Sequence, residues 1–218
     1  MALRRWTLTR GQMLRAMPRH LLWAVLLGAV VGPPLYWLKD VEALPPWLLF
    51  IIMGTLWANA AVLPVAIPGK HWSFGFIGTF MLFLALFAGM ILAARFAFPH
   101  SHQGNYIPQI NCVTFGAIIT GGCLGLLYGL LVGTAPSMAV GLALGGAAGY
   151  LLGLASEDAF VGLAAFGEPP AWRFDSALHF AWQSALAMLI LHLAACMGAI
   201  LGIGPANPQS EIRNPKSG

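Results

Sequence analysis

Residues 121–153 read GGCLGLLYGLLVGTAPSMAVGLALGGAAGYLLG, and this stretch decides the fold class. It contains no charged residue, and with its flanking apolar residues each half reaches the roughly 20 residues that a helix needs to cross a bilayer. The turn residues Thr134 to Ser137 separate the two halves. The stretch therefore predicts a hairpin of two membrane-spanning helices.

Glycine recurs at every fourth position in both halves of this hairpin. Since four residues slightly exceed one helical turn, these glycines form a groove without side chains along one face of each helix. Such grooves let helices pack closely in lipid, so we expect a glycine zipper between the two helices, although one ladder facing another copy or subunit, or a glycine-lined pore, stays open. The predicted packing positions are Gly121, Gly125, Gly129, Gly133, Gly141, Gly145, Gly149 and Gly153.

The composition of the whole chain excludes a soluble globule. Of 218 residues, 59% are apolar and 8% are charged, whereas about a quarter of a soluble domain is charged. Strict alternation of apolar and polar residues, the signature of a membrane barrel, does not occur. We therefore predict an all-α, polytopic integral membrane protein with six transmembrane helices, at 20–38, 46–67, 74–98, 113–133, 137–155 and 178–203.

The polarity of the sequence predicts the segments that flank and connect the spans of the membrane domain, which covers residues 20–203. We expect a basic amphipathic cytoplasmic segment at 1–19, external loops at 99–112 and 156–177, and a disordered cytoplasmic tail at 204–218. The pair Pro33-Pro34 should kink or end the first span. We expect that span to be retained rather than cleaved as a signal peptide, because no small-residue cleavage site follows it.

The positions of the basic residues predict the orientation. With six spans both termini share one side, and that side holds eight of the eleven basic residues: Arg4, Arg5, Arg10, Arg15, Arg19, Lys70, Arg213 and Lys216. Lysine and arginine accumulate on the cytoplasmic side. We therefore expect both termini to be cytoplasmic, in a prokaryotic-type inner (plasma) membrane.

His192 is the one titratable residue that the sequence places well inside a span. It shares a helix face with Ser184, Met188 and Cys196. Methionine, histidine and cysteine are soft or borderline ligands that suit copper, and His192 could also ligate a haem. A cofactor would need a second histidine at the same depth, and the predicted spans supply none. We therefore predict an interhelical hydrogen bond for His192 and no cofactor.

The remaining polar residues are weaker candidates for a functional site. Asn59 and Gln183 lie inside spans and favour hydrogen bonds between helices, although they could also line a path for a neutral solute. Outside the spans, His100 and His102 could hold a metal together with Cys112, and Asp175 and His179 could act as an acid–base pair. No nucleophile motif or phosphate-binding motif accompanies them.

These patterns favour a non-catalytic membrane subunit or scaffold of a larger complex. The partners expected are the lipid bilayer and other membrane subunits, or a second copy of the chain. The net charge of +4 comes mostly from the N-terminal arginines and implies no nucleic acid. The alternatives are a channel or carrier that transports a small neutral solute, and a haem- or copper-binding electron-transfer subunit.

Overall fold

The computed structural model describes residues 8–38, 44–69, 72–96, 112–165 and 176–203. Within these ranges the chain is all-helical, and each helix contains a stretch long and apolar enough to cross a membrane. The prediction of an all-α protein with six spans is confirmed. The helices are α1 (Arg10–Leu38), α2 (Pro46–Ala66), α3 (Trp72–Phe96), α4 (Cys112–Val132), α5 (Ala135–Ala165) and α6 (Ala177–Leu201).

Large apolar side chains cover the outside of the bundle. On α3 alone, Phe76 is 78% exposed, and Ile77 and Phe80 are also exposed. A soluble protein does not present apolar surface on this scale, whereas a membrane protein presents it to lipid. Exposed tryptophans lie near helix ends, where interfacial aromatics anchor membrane proteins: Trp37, Trp47, Trp72 and Trp182. The chain is therefore associated with a lipid bilayer as a multi-pass protein.

The helices pack as a ring in chain order, which α1 and α6 close by packing against each other. α4 and α6 also contact each other, and their spans are the most buried of the six. The closest packing is between α4 and α5 and between α1 and α6. A residue that faces inward on α4 or α6 therefore lies in the core of the bundle.

The first helix begins ten residues before the predicted span, at Arg10. Thr9 and Gln12 form a capping box, in which the Thr9 N–H donates to Gln12 Oε1 (2.9 Å) and the Gln12 N–H donates to Thr9 Oγ1 (3.3 Å). The Leu8 N–H donates to the Leu131 carbonyl at the end of α4 (2.7 Å). α1 therefore includes the second half of the predicted segment 1–19, and it continues through Pro33 and Pro34 to Leu38, so these prolines do not end it.

The fifth helix is longer than predicted. α5 continues through residue 165, so the predicted end at residue 155 is wrong, and residues 156–165 of the predicted external loop 156–177 extend this helix. The rest of that loop up to residue 175, the loop 99–112 before Cys112, the tail 204–218 and residues 1–7 lie outside the described residues.

Candidate functional site

The glycines of α4 and α5 face one another at backbone distance. A Cβ atom on Gly121 would overlap the carbonyl group of Gly145, and one on Gly125 would overlap that of Gly141. Further along the same two faces, a Cβ on each remaining ladder glycine inside the helices would also overlap the opposite helix; the pairs are Gly129 with Met138, Gly149 with Ala117 and Gly153 with Thr114. Gly133 lies in the turn, is exposed and has φ 77°, a conformation that favours glycine.

Two further glycine pairs, which the sequence analysis did not single out, pack α6 against its neighbours. A Cβ on Gly28 of α1 would lie 2.7 Å from the Ser184 carbonyl oxygen, and one on Gly32 would lie 2.5 Å from Ala181 Cα. Gly198 of α6 and Gly202, the residue that caps the end of α6, approach the backbone of α5 in the same way. The same spacing of four residues, Gly28-x3-Gly32 and Gly198-x3-Gly202, could have indicated both.

The packing of α1 on α6 sets the depth of His20 in the bundle. The helices run antiparallel, and Gly28 lies opposite Ser184. His20, eight residues before Gly28, is therefore level with His192, eight residues after Ser184. Nine residues separate His192 from the end of α6, about 13 Å at the helical rise.

The prediction that the spans hold no second histidine at the depth of His192 is therefore wrong. The physical reason is the capping box at Thr9, which begins α1 early enough to bring His20 a third of the way along the helix. With the start placed at residue 20, the same histidine is assigned to the membrane surface.

His20 of α1, Tyr128 of α4 and His192 of α6 form a buried polar group that we term the His–Tyr–His cluster. Tyr128 and His192 are 0% exposed, and His20 is 3% exposed. The Tyr128 hydroxyl group and His192 Nδ1 share a hydrogen bond of 2.9 Å. Both imidazole rings meet the Tyr128 ring edge-on, with ring centroids 5.5 Å away for His20 and 5.8 Å away for His192. The cluster therefore joins three helices in the core.

Pro64 near the end of α2 and Pro68, two residues beyond that helix, explain how His20 is held. His20 Nδ1–H donates to the Pro64 carbonyl oxygen over 2.8 Å. In a regular helix this carbonyl would accept a hydrogen bond from the N–H of residue 68, but Pro68 has no N–H. The spacing Pro64-x3-Pro68 therefore leaves an acceptor that His20 satisfies. Because a carbonyl group only accepts, the bond places a proton on Nδ1 of His20.

The other ring nitrogen of His192 is the unusual atom of the cluster. Nε2 is buried and has no hydrogen-bond partner among the described residues. The backbone of Ala61 approaches this ring without completing a hydrogen bond to Nε2. An unpaired buried polar atom costs about 1–3 kcal/mol, so its presence needs an explanation.

The α6 residues around His192 lie on one buried face of the helix, as their spacing predicts. Met188 and Cys196, one turn before and one turn after His192, are both 0% exposed, and Ser184 is buried. Within the part of the chain that the structure describes, no three His, Cys, Asp or Glu side chains are grouped closely enough to hold a metal ion.

The structure separates the other predicted polar positions from this cluster or does not describe them. Asn59 Nδ2 donates to the Thr55 carbonyl oxygen of its own helix (2.8 Å). Gln183 is half-buried, and His179 is exposed in the first turn of α6, where its N–H donates to Ser176 Oγ (3.3 Å). His100, His102 and Asp175 lie outside the described residues.

An interhelical hydrogen bond of the kind expected for Asn59 is made by a neighbouring residue. Trp57 Nε1–H donates to Thr120 Oγ1 of α4 (3.1 Å), and Thr120 in turn donates to the Gly116 carbonyl oxygen (2.7 Å). Tryptophan belongs as much to apolar cores and to membrane interfaces as to polar contacts, so its sequence position alone did not indicate this bond.

Comparison of the chain with protein-family models, with characterised proteins and with solved structures finds no match.

Proposed function

We propose that this chain is a non-catalytic membrane subunit or scaffold that packs against other helices of a larger complex. One observation carries the proposal: α5 has a second face of small residues, directed away from the bundle. Ala139, Ala143 and Ala147 are exposed on it, and apart from the adjoining residues of α5 itself no described atom lies within 4 Å of the position that a Cβ on Gly146 would take.

Two adjacent glycines of α5 show the difference between its buried face and its outer face. Gly145 packs inward, where a Cβ would overlap the Gly121 carbonyl group, whereas Gly146 faces open space. In lipid, small residues spaced by four let a helix approach another closely, and the resulting dispersion contacts stabilise the pair. The outer face of α5 thus has the chemistry of the buried contacts without a neighbour within the described chain, which supports a helix of another subunit as its partner.

The proposed setting is a prokaryotic-type plasma membrane with both termini in the cytoplasm. Arg10, Arg15 and Arg19 are exposed at the start of α1, and the Leu8–Leu131 hydrogen bond holds this end of α1 beside the turn between α4 and α5. A basic cluster at one end of the bundle supports a cytoplasmic location for that end.

The test is substitution of the two adjacent glycines. We expect Gly146→Leu to keep the thermal stability of the wild type in detergent, because the side chain enters open space, but to lose the polypeptides that accompany the wild type through gentle extraction. Native mass measurement of both samples gives the readout. Gly145→Leu is the matched control and should fail to fold, because its side chain overlaps backbone.

Two results would contradict the proposal. The wild type could emerge from gentle extraction as a lone polypeptide, or Gly146→Leu could retain its partners in the full ratio. Reconstitution examines the carrier alternative: the purified chain in liposomes should move no solute and conduct no ions. A saturable flux abolished by Asn59→Leu or Gln183→Leu would replace the subunit proposal with the carrier.

A further inference from the structure

We propose that the outward face of α1 binds one anionic phospholipid, whose phosphate group is held by Arg15 and Arg19. The face belongs to α1 rather than to α5, so the inference goes beyond the proposed function and does not depend on it. It rests on two exposed arginines that continue a row of exposed apolar residues, on the level of these arginines along the bundle, and on the lack of acidic residues at this end of the described chain.

The two arginines lie on the side of α1 that faces away from the bundle. Residues three or four apart lie on one face of a helix, and such a row runs through Arg15, Arg19, Leu22, Leu26 and Val30. All five side chains are exposed. The row is basic at its beginning and apolar beyond, which is also the order of headgroup and acyl chain in a phospholipid.

The packing of α1 on α6 gives the level of the arginines. Because Gly28 lies opposite Ser184 in antiparallel helices, Arg19 is level with Leu193. Leu193 is an exposed apolar side chain eight residues before the end of α6, about 12 Å at the helical rise. A guanidinium group at a level where the neighbouring helix presents apolar side chains to lipid is costly, unless it pairs with an anion or reaches the headgroups.

Arg15 shows how these side chains reach the headgroups. Its Nε–H donates to the carbonyl oxygen of Gly11 (3.2 Å), one turn nearer the start of α1, so the side chain turns towards the end of the bundle. Side chains on a helix lean towards its N-terminus, so we expect Arg19 to extend in the same direction. The bond to Gly11 uses Nε alone, and the terminal nitrogens of the guanidinium group can donate to two oxygens of one phosphate.

Charge and shape together favour a lipid as the partner of these arginines. Within the described ranges the only acidic residues are Glu157 and Asp158, more than twenty residues along α5 from its start. The Leu8–Leu131 hydrogen bond holds the start of α1 beside the turn that leads into α5, so both carboxylates lie towards the opposite end of the bundle. The apolar part of the row gives an acyl chain a surface to contact, which a free phosphate ion cannot use.

The experiment titrates phosphatidylglycerol, and separately phosphatidylcholine, into the delipidated full-length chain in detergent and counts bound lipids by native mass measurement. We expect one phosphatidylglycerol per chain to bind about 30-fold more tightly than phosphatidylcholine, because each of the two basic residues near an anionic lipid contributes a factor of about 5. The double variant Arg15→Gln/Arg19→Gln should bind the two lipids equally. Arg19→Gln alone should keep a preference of about 5-fold.

The matched control is Arg10→Gln, which removes the same charge from the same end of α1. Arg10 is exposed but precedes Arg19 by nine residues, about two and a half turns, and therefore lies on the other side of the helix. This variant should bind lipid as the wild type does. Thermal unfolding shows whether each variant is folded, and Arg19→Gln decides the test if the double variant does not fold.

Four results would overturn the assignment. The wild type could bind the two lipids equally, or the preference could survive in the folded double variant. Arg10→Gln could lose as much of the preference as the double variant, which would show an effect of net charge rather than a site. Inorganic phosphate could displace phosphatidylglycerol at equal concentration, which would show an anion site that needs no acyl chain.

Discussion

Tyr128 is the residue on which the polar core of the bundle depends. Its hydroxyl group is the hydrogen-bond partner of His192 Nδ1, and its ring separates the two imidazoles. In the interior of a membrane protein no bulk water replaces a hydrogen bond that is removed, so the loss of one partner leaves the other unpaired.

We expect Tyr128→Phe to lower the free energy of unfolding by about 1–3 kcal/mol, because both ring nitrogens of His192 are then without partners. Thermal unfolding of the purified protein in detergent measures the change. Tyr150→Phe removes a hydroxyl group from a 40%-exposed residue of α5 and serves as the control, with a stability close to that of the wild type. Equal stability of the two variants would show that the hydrogen bond contributes nothing.

The sequence identified one of the three residues of this cluster. His192 stands out because it is a titratable residue in the middle of a long apolar stretch. Tyr128 and His20 meet His192 because of which helices are neighbours and how those helices are aligned along their axes. The amino-acid sequence alone specifies neither the neighbours nor the alignment in a form that can be read directly. The signal for His20 was local nonetheless: Thr9-x-x-Gln12 is a capping box, and a helix that starts there carries His20 to the depth of His192.

At the scale of the helices, close backbone approach controls the packing. Gly125 and Gly116 lie on the same helix, α4, and differ only in what surrounds them. A Cβ on Gly125 would overlap the backbone of Gly141, whereas one on Gly116 would have Leu86 Cδ2, 4.0 Å away, as its nearest described neighbour.

We expect Gly125→Ala to destabilise the protein by about 1–3 kcal/mol, the usual cost of overpacking, because backbone atoms of α5 must move. Gly116→Ala should be neutral or stabilise by up to about 1 kcal/mol, because alanine favours the helix and the space is open. Both changes are read from thermal unfolding in one detergent. A melting temperature of Gly125→Ala equal to that of Gly116→Ala would refute the role of close approach.

The spacing of glycines indicates which helix faces are smooth, but not which helix each face meets. Gly28 and Gly32 have the same spacing as the ladders, yet only the structure shows that they meet α6. The extent of α5 escaped prediction for another reason. Ser156, Glu157 and Asp158 mark a change in polarity, but such residues do not by themselves break a helix, and Gly167 and Pro169 come only later in the sequence.

At the scale of the whole molecule, each crossing reverses the side of the membrane. Lys39 follows α1 and Lys70 follows α2, so the two lysines flank a single span. The proposed orientation puts Lys39 outside and Lys70 in the cytoplasm.

We expect a membrane-impermeant maleimide to label Lys39→Cys on intact cells and to label Lys70→Cys only after permeabilisation. Both changes are made in a Cys112→Ser background, because the sequence predicts the native thiol of Cys112 at the external end of α4. Labelling of both positions from the same side would show that α2 does not cross the membrane. The reverse pattern would show an inverted protein.

The packing of α1 against α6 has a consequence for biosynthesis. α1 leaves the ribosome before α6, against which it packs, so the face around Gly28 and Gly32 stays uncovered in the bilayer while α2 to α5 are inserted. During that interval this face of α1 is a groove to which an insertase or a membrane chaperone can bind. A chain that stalls before residue 177 keeps the groove open, and quality-control proteases that recognise unpaired membrane helices have their substrate there.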